Sequence, residues 1–64
     1  MIIYLQMLKT EEERCVFEHI YRQYGALMYH VAYQILGSVQ DTEDAVHQAF
    51  VSVAENISKI ILFS

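Results

Sequence analysis

Between Gln40 and Phe50 the chain reads Gln-Asp-Thr-Glu-Asp-Ala-Val-His-Gln-Ala-Phe, and its acids and amides are the residues best placed to do chemistry. At the 3.6-residue period, Asp41, Asp44, Gln48, Ser52 and Glu55 share one side of a helix, and Val46, Phe50, Val53, Ile57 and Ile61 share the other. A carboxylate and an amide one turn apart, Asp44 and Gln48, suit charge-assisted hydrogen bonds to the guanidinium groups of a partner. They do not form an acid pair for proton transfer. No nucleophile–base pair and no glycine-rich phosphate loop occurs elsewhere, so the sequence offers a docking face and no enzyme.

Three other constellations carry less. Cys15 and His19 stand at i and i+4, a spacing that can bind a metal. Two ligands make no site and the chain has no second pair, so no metal is expected, nor any cofactor. His30 lies on the polar seam of an apolar helix, where one hydrogen bond accounts for it. The five tyrosines fall at core spacing with almost no basic residues among them. Packing with the hydroxyl at the edge is the expected role, rather than base stacking.

Composition narrows the partners. Four Lys and Arg against eight Asp and Glu give a net charge of −4, too few cations to track a phosphate backbone, so no direct DNA binding is expected. A basic surface on another protein is the natural counterpart. The single cysteine excludes an internal disulfide and, with no signal peptide, suggests a reducing cytoplasm. No window reaches the ~18 uninterrupted apolar residues of a membrane span. A chain of 64 residues makes one domain at most. So small a domain buries only about 60% of its unfolded surface. A hydrophobic fraction of 55% is high for such a body, which points to surface that a partner or a second copy covers.

The elements that position the docking face are helices. Met1 to Leu8 is apolar and reads as a short helix or an extended arm packed on the body. Thr10 with Glu13 is a capping box, and Glu11 to Glu13 favour a helix start, so a helix is expected over about 11–24. Its buried side is Phe17, Ile20, Tyr21 and Tyr24, with Cys15 and His19 facing solvent. Gly25 is expected to break or bend the chain, with a tolerated kink in one long helix as the alternative. The next helix, about 26–36, is apolar on two sides, Leu27, Met28, Val31 and Ile35 on one and Tyr29, Tyr33 and Leu36 on the other. Such a pattern suits a buried central helix. Gly37-Ser38 supplies a C-cap and then an N-cap, and so short a connection makes its two helices antiparallel neighbours. The last helix, about 39–60, starts on Ser38 with Asp41 three residues on. It runs into the apolar tail Ile60 to Phe63.

Three segments together carry a resemblance: Phe17-Glu-His-Ile-Tyr-Arg-Gln-Tyr, then Leu27-Met-Tyr-His-Val-Ala-Tyr-Gln-Ile-Leu-Gly, then Asp41-Thr-Glu-Asp-Ala-Val-His-Gln-Ala-Phe. In order and spacing they resemble the start of region 2 of sigma-70-type RNA polymerase sigma factors of the extracytoplasmic-function group, over roughly Glu11 to Lys59. The resemblance implies that the third helix docks on the Arg-rich clamp helices of the polymerase β′ subunit. It puts Asp41, Glu43, Asp44, His47 and Gln48 at the contact positions. Where the family reads Gln-Glu, this chain reads His47-Gln48, which removes one charge that would meet Arg. The family's promoter-reading segments are not among these residues, so the chain resembles a truncated sigma factor, with an anti-sigma protein as a further possible partner. The expected fold is all-α, an antiparallel helical hairpin or three-helix fragment of region 2 spanning 1–64. Its two-sided apolar helix and apolar tail imply completion by a homodimer.

Overall fold

The computed structural model describes residues 2–63, and the side chains of Ile2, Ile3, Leu5 and Phe63 lie outside the described residues. The fold is all-α, with helices α1 (Ile2–Met7), α2 (Glu11–Leu36), α3 (Val39–Glu55) and α4 (Ile57–Phe63). A chain of this length packed as a sphere would have a radius of gyration of about 10.7 Å. The observed 12.3 Å, with a long dimension of 36 Å, shows an elongated hairpin whose length α2 sets. No helix among the described residues is long and apolar enough to cross a membrane.

Both long helices start where their caps dictate. The Thr10 hydroxyl accepts from Glu13 N–H at 3.1 Å, and the Glu13 carboxylate reaches back to accept from Lys9 N–H at 2.9 Å. The reciprocal arm of this capping box thus lands one residue before the cap. Ser38 accepts from Asp41 N–H at 3.3 Å. Between the two, Gly37 adopts φ 68°, the left-handed region where a Cβ is penalised, and its N–H closes the helix onto Tyr33 C=O at 2.8 Å. This tight turn folds α3 back along α2 in the antiparallel sense.

Gly25 does not break the chain. The helices expected over 11–24 and 26–36 are one continuous helix, α2. Gly25 faces the Phe50 ring, so packing across the hairpin offsets its weak helix preference of about 1 kcal/mol. The last helix, expected to run over 39–60, stops instead at Glu55. Asn56 N–H is shared between Ser52 C=O at 3.1 Å and Val53 C=O at 3.2 Å, and its side-chain amide donates to Ser52 C=O at 2.8 Å. A side chain that competes for the backbone in this way ends a helix. Asn56 C=O then accepts from Lys59 and Ile60 N–H, which starts α4. Ile57, the first residue of α4, lies in the core, where the Val46, Phe50, Val53 stripe places it, and is 3% exposed.

The core sits at the Phe17 end of the hairpin and is largely aromatic. Tyr4, Leu8, Phe17, Phe50, Ala54 and Ile57 are its buried members. Phe17 and Phe50 meet edge to face at 6.0 Å, Tyr21 lies 4.8 Å from Phe50, and Tyr4 lies 5.2 Å from Phe17. Offset rings at such distances add to burial. The C-terminal half of α2 is not the buried centre that its pattern suggests. Leu27 is 57% exposed, Val31 48% and Ile35 77%, because α3 covers one stripe of α2 and nothing among the described residues covers its flanks.

Candidate partner-docking face

The outer side of α3 is presented by what holds its inner side. Phe50 is buried against α2 and α1, Ala54 is buried in the same core, and Thr42, one turn before Val46 on the same stripe, is fully buried. The Thr42 hydroxyl donates to Ser38 C=O at 2.6 Å, so the first turn of α3 is tied to its own cap. With rotation and start both fixed, Asp41, Asp44, Gln48, Ser52 and Glu55 all face solvent. Asp41 also sits in the first turn, where the helix dipole favours a negative charge. Among the described residues the one ion pair is Arg22–Glu18 at 2.6 Å on α2, so no cation neutralises the α3 carboxylates.

Glu43 is also exposed, but it belongs to a neighbouring feature. Together with Asp44, His47, Tyr4, Tyr21 and Tyr29 it lines an open cleft of about 430 Å³ beside the strip. His47 is half-buried there and faces α1. Its Nδ1 lies 2.9 Å from the Tyr4 hydroxyl, and the two rings are 5.5 Å apart. Burial pushes the Tyr4 hydroxyl above its ordinary value, and neighbouring Tyr21 adds to the shift, so Tyr4 keeps its proton and can donate it to His47. The structure therefore keeps Asp41, Glu43, Asp44 and Gln48 accessible and engages His47 in an internal contact.

Two residues that shape this face escape sequence reading. Thr42 stands four residues before Val46, so extending the apolar stripe one turn backwards would have found it. Tyr4 has no such signal, being 43 residues from its partner His47. Cys15 and His19 are exposed beside Glu18 and Arg22 on α2, away from the strip. Chemically, the face can accept charge-assisted hydrogen bonds from guanidinium or ammonium groups.

Compared with known families, residues 20–60 match the family described as Sigma-70 region 2. No curated protein and no solved structure matches the chain.

Proposed function

The chain belongs to the sigma-70 region 2 family, which concerns RNA polymerase binding and transcription initiation and is not an enzyme family, and from that footing we propose that α3 docks on the β′ clamp helices of core polymerase. Asp41, Glu43, Asp44 and Gln48 would take the contacts, with His47 at the edge of the interface. The observation that carries this reading is the exposed strip with Asp44 and Gln48 one turn apart, on a helix whose inner side is locked by Thr42, Phe50 and Ala54. Arginines of a basic partner fit such a strip, and electrostatic steering would speed their encounter. The extracytoplasmic-function type, cytoplasmic action and control by an anti-sigma protein belong to the same proposal. The family type and the anti-sigma control rest on the motif order in the three segments quoted above, and cytoplasmic action on the lone Cys15.

The test is a titration of the chain against isolated β′ clamp helices at low and moderate salt, with Asp44→Arg as control. Saturable binding, weakened by salt and lost in Asp44→Arg without loss of helicity, is the expected result. Equal binding by Asp44→Arg would remove the assignment of α3 as the docking helix. A second reading, a stand-alone helical interaction module or polymerase decoy, is favoured by the uncovered apolar flank of α2. Absence of clamp binding would make it the leading one.

A further inference from the structure

We infer that the uncharged flank built from Leu27, Val31 and Ile35 of α2 and Ala45 and Ala49 of α3 is a self-complementary surface through which two copies of this chain pair as a four-helix bundle. Leu27, Val31 and Ile35 recur every four residues and form a ridge, exposed by 57%, 48% and 77% respectively. Beside the ridge runs an open apolar groove of about 430 Å³, whose α3 wall includes Ala45 and Ala49. Each alanine projects a single methyl, so the groove is a helix-sized depression next to a helix-borne ridge. A two-fold axis seats the ridge of each copy in the groove of the other, which is the isologous contact that symmetric dimers use.

Charge selects the occupant. From Gln23 to Gln40 the sequence contains no Asp, Glu, Lys or Arg, although the chain as a whole carries −4. Two like-charged copies therefore meet along the α2 part of this flank without opposing like charges, and a strongly basic or acidic partner finds nothing there to pair with, whereas on α3 Asp41 stands one turn before Ala45 at the border of the flank. Ala45 and Ala49 each lie two residues from His47, on the opposite side of α3 from α1. The pairing uses neither Asp44 nor Gln48, so it stands or falls independently of polymerase docking.

The experiment is sedimentation equilibrium of the 64-residue chain over about 1 μM to 1 mM, the range in which a micromolar dissociation constant is read directly. The wild type should fit a monomer–dimer equilibrium. Ile35→Lys alters a side chain already at the surface, so helicity should be unchanged while the dissociation constant rises at least about tenfold. Leu62→Lys, at an 80% exposed position on α4, should leave the dimer intact. As a readout that does not depend on Ile35→Lys folding, Val31→Cys in a Cys15→Ser background should oxidise to a disulfide-linked dimer, and Leu36→Cys, on the other flank, should not. A folded chain that stays monomeric throughout overturns the proposal. So does a dimer untouched by Ile35→Lys, or one that cross-links through Leu36→Cys and not through Val31→Cys.

Discussion

Replacing the chain's two glycines by alanine should change stability in opposite directions. Gly25 lies in the middle of α2, and a Cβ added there meets Phe50 Cζ at 3.8 Å, ordinary van der Waals contact. Gly25→Ala therefore gains about 1 kcal/mol from helix preference and reduced unfolded-state entropy. The half-buried methyl adds part of the ~0.8 kcal/mol that a buried carbon contributes. At Gly37 nothing lies within 4 Å of an added Cβ, so the space is free and the backbone decides. Its φ of 68° costs an L-residue about 1–2 kcal/mol. With ~4–8 °C per kcal/mol for a domain of this size, thermal melts followed by helical circular dichroism should separate the two variants by roughly 8–30 °C. Protein concentration must be held fixed, because the proposed self-association would move the midpoint. Gly37→Asn should lose less than Gly37→Ala, since Asn tolerates the left-handed region. A Gly25→Ala variant that melts below wild type would refute the account. It would mean that α2 bends at Gly25, or that Phe50 needs the room.

Other perturbations follow from the core and the caps. Phe50→Ala removes the ring shared by Phe17, Tyr21 and Tyr4 and should cost about 3–5 kcal/mol, enough to abolish a cooperative urea transition in so small a domain. Thr42→Val keeps the shape of a fully buried side chain and deletes its bond to Ser38 C=O, so a loss of about 1 kcal/mol in urea unfolding is expected. Tyr4→Phe should cost about 0.5–1.5 kcal/mol through its lost contact with His47. Because the Tyr4 hydroxyl is raised above 10.0 in the folded state, its contribution is complete below pH 10 and is lost as pH rises through the higher folded value. Alkaline melts of wild type should therefore fall more steeply than those of Tyr4→Phe.

The sequence determined what depends on near neighbours. The caps at Thr10 and Ser38, the turn at Gly37 and the stripe Val46, Phe50, Val53, Ile57 are local or periodic signals, and they suffice for an all-α antiparallel hairpin with its acidic strip outward. The strip is legible because an amphipathic helix has one inner face, and whatever is polar at the opposite angle must be wet. Three features needed the tertiary structure. Gly25 stays helical because a ring 25 residues away packs on it, which helix preference alone cannot show. His47 leaves the outward surface because Tyr4, brought over by α1, offers it a hydroxyl. The apolar second half of α2 is exposed because a hairpin has one interior seam, and a helix with two apolar sides can bury only the side that meets it. Pattern determines which faces seek cover, and the count and placement of neighbouring helices decides which of them find it within one chain.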